Sequence, residues 1–192
     1  MHIREFIEKN YPQYYSIEEY PAGKVAPIRK ATGEWGILGN FGHAAVTVNG
    51  VCFNNTEKLF QVMKFTDPVA RAAIYSPAKG TPKMIARKYE GICGAREDWG
   101  RIIVDVMKFC LMTKYGQSDE FRTVLEQSKG LYIVEDQTSF PKKQADTWGA
   151  KLIGDKYVGP NLLGRLLMEL RDNGRLDYKL PEGILVFDDL IQ

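Results

Sequence analysis

The feature that most constrains this chain is a turn signal and the pattern that follows it. Ala45-Val46-Thr47-Val48 and Val51-Cys52-Phe53 are short β-favouring runs separated by Asn49-Gly50. Asn-Gly suits a two-residue hairpin because both central residues of a type I′ turn need positive φ. Asn54 then opens a helical pattern that runs to about Phe65 and stops at Asp67-Pro68. Glu57 stands three residues after Asn54, the spacing of a capping box.

Helical spacing recurs further along. Stretches from Val69 to Tyr75 and from Pro82 to about Tyr89 read as helices. After Asp98, the residues Ile102, Ile103, Val106, Met107, Cys110 and Leu111 mark a longer amphipathic helix that Gly116 should stop. Ser118 is expected to cap the next, with Phe121, Val124 and Leu125 inward and Gly130 as its stop. Leu131-Tyr132-Ile133-Val134 reads as a buried strand, residues 137–160 as polar loop, and Asn161 to Asn173-Gly174 as a final leucine-rich helix. Ile3 to Asn10 forms a short helix with Ile3, Phe6 and Ile7 on one face, and an irregular segment follows it. Ile184-Leu185-Val186-Phe187 is expected as an edge strand. Few strands alternate with helices, which argues against a doubly wound sheet. The expectation is a helix-rich α+β fold, a single domain with a β-hairpin and a small sheet. Residues 1–35 form an N-terminal helix and irregular extension, 36–174 the domain, and 175–192 a tail.

Composition narrows the function classes. With 192 residues, one domain with appended ends is expected and a sizeable core can be buried. The 26 Lys+Arg against 24 Asp+Glu give no broad electrostatic footprint for duplex nucleic acid. No apolar run approaches the roughly 18 residues of a membrane span. The acidic-basic start lacks an apolar signal core, and Cys52, Cys93 and Cys110 have no C-x-x-C spacing. A reduced, cytoplasmic chain is expected, with no membrane partner. There is no P-loop and no G-x-G-x-x-G after a strand. His2 and His43 are the only histidines, so a histidine-rich zinc site or a Ser-His-Asp triad is poorly supplied. Chemistry here must come from carboxylates, lysines and aromatics.

On the helix after the hairpin, Glu57, Gln61 and Lys64 fall within one 60° sector at about 100° per residue. A polar stripe on a largely apolar helix must meet solvent, a partner or a cleft. The plain alternative makes Glu57 a capping residue and Lys64 its solvated neighbour. Trp99 and Trp148 could stack on a heterocycle or simply pack. Asp146 could organise an Asx turn, Asn161 could cap its helix, and Arg171 and Lys114 could face helix C-termini.

Read in order, these residues resemble a known pattern. Leu38-Gly39-Asn40-Phe41, the hairpin to Gly50, and Thr56-Glu57-Lys58-Leu59-Phe60-Gln61-Val62-Met63-Lys64-Phe65 are similar to the L-S-N-F, V-x-G and E-H-x-x-Q-x-x-K-F elements of the NADAR family of YbiA-like N-glycosidases. Trp99, Met107, Lys114-Tyr115, Asp146-Thr147-Trp148-Gly149 and Gly159-Pro160-Asn161-Leu162-Leu163-Gly164 continue the match through Leu167-Met168 to Arg171. Lys58 stands where the family usually has His and Gly39 where it has Ser, and the match is loose from Arg71 to Asp98.

The resemblance implies hydrolysis of a ribosyl N-glycosidic bond, for which neither metal nor cofactor is expected. The substrate would be a phosphorylated ribosylamino-pyrimidine of riboflavin synthesis or ADP-ribosylated guanine in nucleic acid; the alternative is a non-catalytic ADP-ribose- or nucleotide-binding module. It further implies Glu57, Lys64 and Asp146 as catalytic groups and Asn40, Phe41, Gln61, Trp99, Trp148, Asn161 and Arg171 as substrate-binding ones. Cleavage builds positive charge on the sugar, which a carboxylate near C1 stabilises. Helix amides near Glu57 should keep its pKa low and favour an ionised stabiliser over a general acid. Lys64 beside an opened ribose could form a Schiff base if neutral.

Overall fold

A computed structural model describes residues 3–190, so His2 and the side chain of Ile3 lie outside the described part. The chain is helix-rich α+β, as the periodicities require, and its contacts divide it into two compact units. Each unit is built from two separated segments: residues 1–42 with 119–176, and residues 43–118 with 177–192. The ends are therefore integral to the two units.

The first unit contains α1 (Ile3–Asn10), β1 (Glu18–Pro21), β2 (Val25–Ile28), α6 (Asp119–Gln127), β5 (Tyr132–Glu135), β6 (Lys151–Ile153), β7 (Lys156–Gly159) and α7 (Leu162–Asn173). β1, β7 and β6 form an antiparallel sheet in that order, and β2 runs parallel to β5. These strands correct the expected irregular N-terminal extension and the expected loop over 137–160. Gly154-Asp155, with Gly154 at φ +63°, is the tight turn joining β6 to β7. It is a hairpin signal of the same kind as Asn49-Gly50. Tyr20, Val134, Ala150 and Tyr157 bury together against Met168 of α7. A large apolar side chain removed from water contributes roughly 1.5–3 kcal/mol, so β1 is held by its one buried ring as well as by its ladder. Gly174, at φ +71°, ends α7 as expected.

The second unit contains β3 (Val46–Val48), β4 (Val51–Phe53), α2 (Thr56–Met63), α3 (Pro68–Tyr75), α4 (Pro82–Glu90) and α5 (Trp99–Gln117). The hairpin closes through Asn49 at φ +47° and Gly50 at φ +81°. α2 packs on α3, α4 and α5, with Leu59, Val62, Met63, Ile103, Val106 and Leu111 all buried. α5 runs through Gly116 to Gln117 with Ser118 as its C-cap, and α6 begins at the next residue, Asp119. A helical glycine costs about 0.5–1 kcal/mol. The Gln117 amide offsets it by bonding both backbone groups of Thr47, at 2.7 and 2.8 Å, as a neighbouring strand would.

The tail is not a strand. Gly183 at φ +74° turns the chain, Val186 N–H bonds Gly183 O, and a 3-10 turn follows over Asp188–Leu190. Side chains capture its carbonyls instead of a ladder: Asn49 donates to Leu185 O and Arg71 to Val186 O. Phe187 packs edge-on against Phe53 at 5.2 Å.

Candidate active site

α2 begins one residue later than the sequence suggested. Asn55 is the N-cap, and its side chain accepts from Lys58 N–H at 2.9 Å. Glu57 is thereby released from the capping role assumed for it, and it points inward with only 6% of its surface exposed. Its Oε1 accepts from Gln61 Nε2 at 2.9 Å, one turn along the same face. Gln61 is itself 7% exposed. The polar stripe is therefore buried and internally ordered.

Burial pushes the Glu57 carboxyl above its ordinary value of 4.5, against the pull of Gln61, Lys83 and Lys64 in that order. This corrects the expectation that helix amides would keep it low. Desolvation outweighs a partial helix charge once the carboxylate loses its water. The group fits a proton donor as well as an anionic stabiliser.

Lys64 sits at the end of α2 with 14% of its side chain exposed, and its Nζ bonds Glu90 Oε2 of α4 at 2.7 Å. An ion-paired lysine is a cation and a hydrogen-bond donor. The neutral amine that a Schiff base requires would need this pair broken, so the covalent route through Lys64 has no support in its surroundings. Arg96 N–H bonds Lys64 O at 3.0 Å and fixes the turn after the helix.

Trp99 opens α5 and is 7% exposed, with its ring edge-on to Phe60 at 5.1 Å. That is a packing arrangement, and it leaves little indole face for a base. Lys114, read from sequence as a helix-end partner, is instead wholly buried on α5, one turn from the buried Cys110. Burial drives its amine down to about 7, and pushes the Cys110 thiol up. Lys114 stands between Thr113 and Tyr115, and nothing in that local sequence marks it as buried.

The remaining expected residues belong to the first unit. Asp146 organises a loop: its Oδ1 accepts from Trp148 N–H at 2.9 Å and from the Gln137 amide, while Asp146 N–H returns to Gln137 Oε1 at 2.8 Å. Asn161 has φ +50° and makes no side-chain cap. Its buried amide accepts from Glu135 N–H at 3.0 Å and donates to Ile133 O at 2.9 Å, tying the start of α7 to β5. Gly164 makes room for this contact, since a Cβ there would meet Ile133 O at 2.1 Å. Arg171 Nη1 donates to Ser128 O and Leu131 O, both at 2.9 Å, and Nε pairs with Asp172. Asn40 is 7% exposed, Phe41 is 39% exposed, and Trp148 is half-buried.

Among the described residues, no cluster of three His, Cys, Asp or Glu could hold a metal ion. No described helix is long and apolar enough to cross a membrane.

Comparison with known proteins agrees with the ordered motifs. The N-glycosidase YbiA of Escherichia coli K12 is 29% identical over 140 residues, covering 72% of this chain and 81% of that protein. A riboflavin biosynthesis protein of Vibrio vulnificus is 29% identical over 155 residues, or 80% of this chain; the chain spans only 39% of that relative's length. The solution structure of Escherichia coli YbiA superposes with a TM-score of 0.61 at 27% identity, over 78% of this chain and 84% of that one. The NADAR domain family model matches residues 28–175, which takes in every motif named above from Gly39 to Arg171, and the chain belongs to the NADAR family.

Proposed function

We propose that this protein hydrolyses the N-glycosidic bond of a small phosphorylated ribosylamine, with Glu57 as the central catalytic group. The observation that carries this reading is a carboxyl buried on α2, hydrogen-bonded through one oxygen and flanked by lysine charge. Breaking a ribosyl C1–N bond leaves electron density on the departing nitrogen and positive charge on the sugar. A carboxyl with a raised pKa can give its proton to that nitrogen, and the carboxylate formed then stabilises the sugar cation and orients water. Gln61 holds the carboxyl in one orientation through both changes. The lysines moderate the desolvation so that both protonation states are reachable.

The names N-glycosidase and riboflavin biosynthesis, carried by relatives at 29% identity, support a glycosidase-type role. A net charge of +2 favours a small substrate over long nucleic-acid contacts. Incubation with a phosphorylated ribosylamino-pyrimidine, and separately with ADP-ribosylated guanine in an oligonucleotide, tests the reading through release of free base. Release from the first alone is expected. Release from the second alone would move the protein to nucleic-acid repair or defence, and tight binding of ADP-ribose with release from neither would make it a binding module.

A further inference from the structure

We infer that Lys83 is the specificity-determining cation of the Glu57 site, binding the phosphate of the ribosyl substrate; this rests on the proposed reading of that site as one for phosphorylated ribosides. Lys83 lies in the α4 segment, where the family resemblance is loose.

The argument begins with register. Glu57 and Lys64 are seven residues apart on α2, and Lys83 and Glu90 are seven apart on α4. Seven residues at about 100° each bring a helix back to within 20° of its starting face, some two turns along. Each helix thus presents one acid and one lysine on one face. The Lys64–Glu90 pair at 2.7 Å joins the two helices at their C-terminal ends. With α2 packed on α4, the other two members, Glu57 and Lys83, are left at the N-terminal ends. The electrostatics agrees, because Lys83 acts on the Glu57 carboxyl more strongly than Lys64 does from the same helix.

The two lysines differ in what they are free to do. Lys64 is mostly buried and spent on Glu90. Lys83 is exposed, and among the described residues no hydrogen bond or ion pair engages it. Among the described residues the hydrogen bond to the Glu57 carboxylate comes from Gln61, not from Lys83. Its backbone is nevertheless well placed: Pro82 opens α4 and Thr81 caps it, accepting from Met84 N–H at 3.3 Å. A solvated ammonium on a fixed helical turn beside a buried carboxyl is suited to a phosphate oxyanion. Ribose 5-phosphate carries its reacting carbon and its phosphate on one small ring. A site that brings C1 to Glu57 must therefore meet the phosphate with a cation close by.

Calorimetry with ribose 5-phosphate and with ribose, on the wild type and on Lys83→Gln, tests this without requiring turnover. The wild type is expected to prefer ribose 5-phosphate, and Lys83→Gln to weaken that ligand about 10-fold or more while leaving ribose unchanged. Lys83→Arg should restore most of the preference, and inorganic phosphate should compete with ribose 5-phosphate in the wild type only. A Lys83→Gln protein that still prefers the phosphorylated sugar overturns the inference, as does a wild type with no preference. If Lys83-dependent binding is seen but no base is released from any riboside, the anion site stands and the glycosidase reading falls. If base is released with a KM indifferent to Lys83, the reverse holds.

Discussion

The two units put their family-matched polar residues to opposite uses. In the first, Asp146, Asn161 and Arg171 each bond backbone groups of neighbouring loops and strands, and Asp146 and Arg171 also bond the side chains of Gln137 and Asp172. In the second, Glu57 and Lys114 are buried with shifted protonation, and Lys64 is held by a single acid. A polar side chain that satisfies the main chain is a structural tie. Desolvating a charged side chain carries an unfavourable free energy, and shifted protonation of that kind is a common signature of reactive groups. Both kinds sit in the same ordered motif, so matching a motif does not by itself tell them apart.

Glu57→Gln should separate the two uses most sharply. Turnover is expected to fall at least about 100-fold with ligand affinity within a few fold, because the charge and proton act mainly in the transition state. Stability should move the other way. An acid whose folded pKa is raised destabilises the fold above its unfolded value and has no effect below it. The Gln variant should therefore melt higher than wild type near pH 7, with the gain disappearing as pH falls toward the ordinary value of 4.5. A Gln variant that is less stable and fully active would return Glu57 to a scaffold role.

Asn161→Ala should show the reverse pattern. It strands a buried N–H and a buried carbonyl, at a cost of roughly 2–5 kcal/mol in denaturant unfolding, while surviving folded molecules keep their turnover. Lys114→Met gives a pH signature instead. The wild type favours the neutral amine in its folded state, so its stability should rise as pH climbs from about 7 towards the ordinary lysine value of 10.5. The Met variant should lack that rise, and an unchanged slope would show that Lys114 meets water. Asp146→Asn should have the smallest effect, within about threefold in turnover, since the amide oxygen can still accept from Trp148 N–H. A loss comparable to that of Glu57→Gln would move Asp146 from the scaffold to the chemistry.

Much of this was legible in the residues themselves. The Asn49-Gly50 hairpin, the leucine-rich α7 with its glycine stop, and the shared face of Glu57, Gln61 and Lys64 all depend on neighbours within about two turns or one turn of chain. Backbone sterics and helical periodicity act over that range, so a local pattern determines them. The pairing of β1 with β7 brings Tyr20 to Tyr157, far apart in the chain, and neither run carries a strong alternating pattern. Only tertiary structure could decide it. The same is true of the burial of Lys114, the commitment of Lys64 to Glu90, and the packing of α2 on α4. Burial and charge proximity are properties of what packs around a residue, and they set its protonation and its availability to a ligand.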